Sequence, residues 1–296
     1  MNVCGPEDFD FHLTFNTNAD HVKYSRIYET LGVKRLRRVV FNKRILVTTA
    51  GIKEALAACI LRYVFFNKVT MTIHDYEPHP GPKERQVRLY NRVVERLFPL
   101  HFHSKYQYDM ALGSNNSVFH LPLLISEKRL CERQRRDYVL AFGRNEPYKN
   151  FPFMEKLSGE LKSSGLSVVV ASAGCDLRKN ENFDVISEYI GDETLENLIR
   201  EARLVVVPYT SCTQSGVINA SHENGTPVAV TNIPGLTEYV DDQNLGTVIS
   251  LQPCDAAKTI ERFLAEWQHS EFLRALLKKL EYTPHLMEKG DKFSTE

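Results

Sequence analysis

No apolar run in this 296-residue chain reaches the roughly 18 residues that a membrane-spanning helix requires, which argues against an integral membrane protein. Residues 1–12 have neither a basic start nor an apolar core, so no secretory leader is expected and a cytoplasmic location is. Cysteine is sparse and scattered: Cys4, Cys59, Cys131, Cys175, Cys212 and Cys254 form no C-x-x-C pair, and no histidines cluster at metal-ligand spacing. That pattern fits a reducing compartment better than a disulfide framework or a zinc module. There is no repeat of solenoid length, no low-complexity tract and no net charge. The neutrality hides an asymmetry. Through Arg135 the chain carries 21 Lys and Arg against 13 Asp and Glu; beyond it, 16 against 24. A basic front half points to an anionic partner or a membrane surface, or is simply a solvated surface. No nucleic-acid partner is expected. Hydrophobic residues at 43% and charged residues at 25% are those of a globular protein, and the length suggests two domains.

The most informative stretch is 205–230, VVVPYTSCTQSGVINASHENGTPVAV. Its β-branched start suits a parallel strand buried on both faces, and Pro208 ends that strand because it has no N–H for a ladder. After a small polar loop, Gly216 opens a short helix with Val217, Ile218 and Ala220 on its apolar side. Asn224-Gly225 closes the helix, and 227–230 begins the next strand. A loop running from the carboxyl end of a parallel strand into a helix N-terminus is where α/β folds bind anions and nucleotides.

The rest of the second half alternates in the same way. Strands are expected at 138–142, 168–172, 185–190, 204–207 and 246–251, with helices at 151–163, 192–202, 236–240 and 255–267. This is the order of a parallel sheet with helices on both faces. A further helix covers 271–280. The first half reads as strands at 44–49, 69–73, 100–103 and 118–121. A helix at 52–66 has Ala55, Leu56, Cys59, Ile60 and Val64 on its apolar side. A basic amphipathic helix over 83–97 faces Val87, Tyr90, Val94 and Leu97 to the core. Its Lys83, Arg85, Arg88, Arg92 and Arg96 suit an anionic lipid surface or plain solvation. Residues 1–36 give no clear pattern, and their Asp8-Phe9-Asp10 is read as a chance D-x-D without a preceding strand. The charged segment 126–137 marks a junction, giving domains 1–135 and 136–270 with a helical tail at 271–296.

A second anion-binding feature ends the first strand of the rear half: Gly143-Arg144-Asn145-Glu146-Pro147-Tyr148-Lys149-Asn150. Gly143 allows close backbone approach, Arg144 can grip two phosphate oxygens, and Lys149 adds a compact charge. With Gln214-Ser215-Gly216 at a helix start, both features open on one sheet edge and can converge on a diphosphate. Cys212 has no histidine at a spacing that suggests a paired base, so it is not read as a nucleophile. His222 and Glu223 read as helix-surface residues, and Glu238 as a cap or an orienting residue for the loop.

At this point a family resemblance emerges. LAFGRNEPYK, ending at Lys149, resembles the G-R…K loop of GT-B glycosyltransferases, in particular the large retaining family 4. ARLVVVP at 202–208, followed by GTPVAV at 225–230, is similar to that family's donor-binding signature, and NIPGLTEYV at 232–240 to its sequel. Thr72-Ile73-His74-Asp75 with His79-Pro80-Gly81 resembles its first-domain loop. The resemblance implies an α/β GT-B fold, two Rossmann-like parallel-sheet domains facing across a cleft. The rear domain would hold a nucleoside-diphosphate sugar. The front one would hold a saccharide or lipid-linked acceptor, in surface polysaccharide assembly at the inner face of the membrane. Arg144 and Lys149 would neutralise the diphosphate leaving group with no metal or other cofactor. Backbone amides around Gln214, Ser215, Gly216 and Val217 would contact phosphates or sugar, Gly143 would let the donor approach, and the base would lie near Gly174 and Ile190. His74 or Asp75 would face the transferred sugar, although His74 reads equally well as a strand-end residue. There are two departures. The family's two glutamates, separated by seven residues, fall at Cys212 and Ala220, and the front domain reads as short by its first strand-helix-strand portion. The Q-S-G-V-I helix start nevertheless resembles a sub-pattern of polysaccharide-assembly members. Three outcomes stay open: a retaining transferase, a non-catalytic GT-B protein binding a nucleotide-sugar or a partner transferase, and an epimerase that needs no acceptor.

Overall fold

The computed structural model describes residues 11–14, 30–32, 44–47, 52–64, 66, 68–77, 84–111, 116–118 and 134–281. Asp8-Phe9-Asp10, Lys83, His79-Pro80-Gly81 and most of the expected junction lie outside them. The chain divides into two units between Pro122 and Leu123.

The front unit is a parallel sheet of β1 (Phe11–Thr14), β2 (Thr30–Gly32), β3 (Arg44–Val47), β4 (Lys68–Ile73), β5 (Leu100–Phe102) and β6 (Ser117–Val118). Its order is β2-β1-β3-β4-β5-β6. Two parallel strands therefore precede Arg44, against the expectation that this portion is missing. Helices α1 (Ile52–Tyr63) and α2 (Glu84–Leu97) lie on one face of the sheet. There Ala58, Leu61 and Val94 pack with Ile45, Val47, Val69, Met71, Ile73, Leu100 and Phe102. In α2 the expected inner residues hold: Val94 is buried, and Val87, Tyr90 and Leu97 are half-buried. In α1 they do not. Leu56, Ile60 and Val64 are more than half exposed, whereas Ala58 and Leu61 are buried. The helix is apolar on most sides, so sequence periodicity left its rotation undetermined. A short helix, α3 (Lys105–Met110), follows; the Ser104 side chain accepts a hydrogen bond from the Gln107 amide at its start.

The rear unit contains β7 (Tyr138–Phe142), β8 (Ser167–Ala171), β9 (Phe183–Ile186), β10 (Leu204–Val207), β11 (Val228–Thr231) and β12 (Gly246–Ile249). They pair in parallel in the order β12-β11-β10-β7-β8-β9. Alternate residues serve the two faces. Val139, Ala141, Val168, Val170 and Val206 pack with α4 (Phe151–Leu161) and α8 (Pro253–Glu266). Leu140, Phe142, Val205, Val207 and Val230 pack with α5 (Asp192–Glu201), α6 (Gly216–Glu223) and α7 (Pro234–Thr237). β9 starts two residues earlier than expected and ends at Ile186, so Ile190 lies in the loop beyond the ladder.

The last helix, α9 (His269–Glu281), packs through Phe272, Ala275 and Leu276 onto Leu245 in this unit. Its return corrects the reading of α6. His222 and Glu223 are buried rather than on the surface. His222 Nε2 lies 3.2 Å from the Leu245 carbonyl, and its ring is 5.9 Å from that of Phe272. Burial pushes its pKa down to about 3. At this same amino end of the strands, Arg135 ties three elements together. Its guanidinium donates to Ala202 O at 2.6 Å, Gly225 O at 2.7 Å and Thr226 Oγ1 at 3.2 Å, and lies 5.0 Å from the Trp267 ring centroid.

Candidate functional site

β7 and β10 are parallel neighbours, paired at Leu204 with Val139 and Val205 with Leu140. The loops that leave their carboxyl ends therefore emerge side by side. After Phe142 the chain turns at Gly143, whose φ of +124° only glycine adopts readily. Pro147–Lys149 form one 3₁₀ turn, which Asn150 ends in a left-handed conformation and hands on to α4. This turn points Lys149 inward. The side chain is only 6% exposed. Its Nζ sits 5.3 Å from the Tyr209 ring centroid. A Cβ on Gly143 would collide with that Nζ, so the missing side chain is the seat of the ammonium. Burial, followed by the nearby Arg144 charge, lowers the Lys149 pKa from 10.5 to about 8. Arg144 is exposed, and Asn145 Nδ2 donates to Gly174 O at 2.9 Å, drawing the β8 loop alongside.

The loop after β10 is fastened to this one. Thr210 N donates to Tyr148 O at 2.8 Å, and the Tyr148 and Tyr209 rings meet edge to face at 5.4 Å. Cys212 is buried, its Sγ donating to Gln214 O at 2.9 Å. Gly235 of α7 supports the loop from behind: a Cβ there would lie 2.7 Å from the carbonyl oxygens of both Cys212 and Thr213. Ser215 precedes α6 in extended backbone, its side chain making no cap hydrogen bond, and lies beside the Tyr209 phenol, which burial holds well above its usual pKa. Gln214 Oε1 is buried without a hydrogen-bond partner among the described residues. Gly216 is exposed, with nothing within 4 Å of where a Cβ would stand. The first amides of α6, from Gly216 and Val217 on, have no partner within the helix.

Gly143, Arg144, Lys149, Gly174, Gln214, Ser215, Gly216 and Val217 thus share one edge of the rear sheet, joined by Lys149 against Tyr209 and Tyr209 against Ser215. Ile190 follows β9 on that edge, half-buried against the core beneath α5 and α6. Ala220 is half-buried against the same core. His74 and Asp75 belong to the front unit, at the carboxyl end of β4. Asn91 Nδ2 holds that turn by donating to Asp75 O at 2.8 Å and Tyr76 O at 2.9 Å. The half-buried His74 ring lies 5.4 Å from that of buried His103, which is 5.3 Å from that of His101. Sequence reasoning missed Tyr209, Tyr148 and Asn145, which position the cationic loop. The one available signal was an aromatic residue directly after the strand-ending Pro208.

Comparison with known proteins bears on this edge. Residues 136–266 match the family model described as glycosyl transferases group 1. Solved structures similar to the chain include trehalose-6-phosphate synthase from E. coli bound with UDP-2-fluoro glucose: TM-score 0.60, 12% identity, covering 85% of this chain and 75% of that one. HepE from Anabaena in complex with UDP and glucose gives a TM-score of 0.60 at 12% identity, over 92% of this chain and 99% of that one. The fold is GT-B. A trehalose 6-phosphate synthase from Burkholderia multivorans superposes with a TM-score of 0.57 at 13% identity, over 86% and 73% of the two chains. No curated protein sequence matches. At such identities the likeness is one of fold, and the GT-B edge of the rear sheet must be read from its own residues.

Proposed function

We infer that this GT-B protein is a retaining, metal-independent glycosyltransferase of the family 4 kind. It moves a sugar from a nucleoside-diphosphate donor to a saccharide or lipid-linked acceptor in surface polysaccharide assembly. The observation that carries this reading is the buried Lys149 ammonium. Among the described residues no carboxylate forms an ion pair with it. A buried cation kept beside a second cation, at the mouth of a helix N-terminus, is costly unless an anion arrives. A diphosphate supplies that anion. As the bond from the anomeric carbon to the diphosphate breaks, charge grows on the leaving oxygen. Arg144, Lys149 and the amides at Gly216 and Val217 then strengthen their hold. In this reading the base lies by Gly174 and Ile190, and His74 or Asp75 attends the sugar. UDP-sugars are the first donors to test, because the HepE and E. coli structures hold UDP compounds. Among the described residues no helix is long and apolar enough to cross a membrane, so a lipid-linked acceptor would be met at the bilayer surface.

Cys212 and Ala220, at the positions of the family's two glutamates, favour a second reading: a nucleotide-sugar-binding protein without turnover. Calorimetry and donor-consumption assays on the parent, Arg144→Ala and Lys149→Ala decide between them. A transferase consumes donor when supplied with acceptor, and both substitutions slow it by at least tenfold. Binding without turnover on any acceptor selects the second reading. Unchanged rates in both variants overturn the assignment.

A further inference from the structure

The front unit carries an outward face on which the described apolar side chains are exposed. On α1, Ile52, Leu56, Ile60 and Val64 recur at every fourth residue and form one solvent-facing stripe, which Tyr63 and Phe66 extend. On α2 the solvent side holds Leu89 and Val93 between Arg85, Arg92 and Arg96. All eight apolar side chains are 47% to 75% exposed. The two helices share one face of the sheet, and their carboxyl ends meet where Arg62 Nη1 donates to Leu97 O at 2.6 Å. Stripe and arginines therefore form one surface. Arg88 is engaged by Glu84 at 2.9 Å, whereas among the described residues no carboxylate pairs with Arg85, Arg92 or Arg96. Apolar side chains interleaved with exposed arginines match a layer that is negative at its surface and apolar just beneath.

We propose that this α1–α2 face docks the protein onto an anionic lipid bilayer. Charge decides the choice of occupant. A second copy would set the three arginines of one face against those of another, a repulsive arrangement, whereas an anionic surface pairs with all of them. The excess of basic over acidic residues in the front half points the same way. The proposal places the lipid contact suggested by a lipid-linked acceptor on named residues, but its test needs neither donor nor turnover.

The experiment is co-flotation of the full chain with vesicles of phosphatidylcholine alone, or with about one-third phosphatidylglycerol. The expected result is capture by the anionic vesicles only, weakened about fivefold for each arginine changed to glutamine at 85, 92 or 96. Leu56→Asp with Ile60→Asp, at exposed positions that leave the core intact, abolishes capture while the unfolding temperature and soluble-donor binding stay at parent values. Equal capture by neutral vesicles, or undiminished capture of the arginine variants, overturns the proposal. So does a dimer in light scattering that Leu56→Asp with Ile60→Asp dissociates, which makes the face a self-interface. Loss of donor binding in Lys149→Ala with vesicle capture intact separates this docking from the donor site.

Discussion

Replacing Lys149 by methionine should make the protein more stable and less functional at once. The folded pKa of about 8 stands below the ordinary 10.5, so between these values the folded state holds fewer protons than the unfolded one. Stability contributed by this position therefore rises as pH increases from 8 to 10.5 and is at its lowest, and level, below 8. At about 1.4 kcal/mol per pH unit, the penalty below pH 8 approaches about 3 kcal/mol. Loss of the contact with the Tyr209 ring takes back about 0.5–2 kcal/mol. Lys149→Met keeps the length of the side chain and discards its charge, leaving a net gain of about 1–2 kcal/mol at pH 7. For a unit of this size that is a rise of about 2–8 °C in Tm. Scanning calorimetry at pH 7 and at pH 10.5 checks the sign, because the variant's advantage should vanish at the higher value. Titration with UDP should show binding at least tenfold weaker. A variant less stable than the parent at pH 7 would refute the reasoning, since Lys149 would then be a clamp rather than a tolerated charge.

Other positions give independent checks. His222, held near pKa 3 against an ordinary 6.5, contributes stability that is complete above pH 6.5. This is lost at up to about 1.4 kcal/mol per pH unit on the way down to 3; acid titration of His222→Gln should show a flatter limb than the parent. Arg135→Ala removes three hydrogen bonds at the amino end of the strands. It should cost about 2–4 kcal/mol in urea unfolding and, if the donor site proposed above at the carboxyl end of the sheet is right, leave UDP affinity unchanged. Gly235→Ala should push the Cys212–Thr213 backbone out of place. We expect about 1–3 kcal/mol lost in thermal unfolding, with weaker UDP binding in calorimetry.

The parts that were legible in the sequence share a physical cause. β10 and β11 are buried on both faces, so residues 204–207 and 228–230 form apolar runs that solvent never interrupts. The start and end of α6 were marked by a glycine at each. β1 and β2 went unseen because strands of four and three residues, FHLT and TLG, offer too little pattern to stand out. The rotation of α1 was unreadable because apolar residues surround most of it. His222 was misread because the helix that covers it arrives about fifty residues later, and no local pattern announces Phe272. The cationic loop was visible as residue types, but its inward turn was not. A lysine on a surface loop reads as solvated until Gly143, the 3₁₀ turn and Tyr209 are seen to enclose it.

The hollow at Gly143 has a consequence for anyone hoping to retune this edge. Its left-handed backbone and the ammonium that fills the missing side chain's place make positions 143 and 149 a single unit of change. A library that varies 143 alone evicts the lysine. Altered donor preference is better sought along the open ground around Gly216, where a new side chain meets nothing.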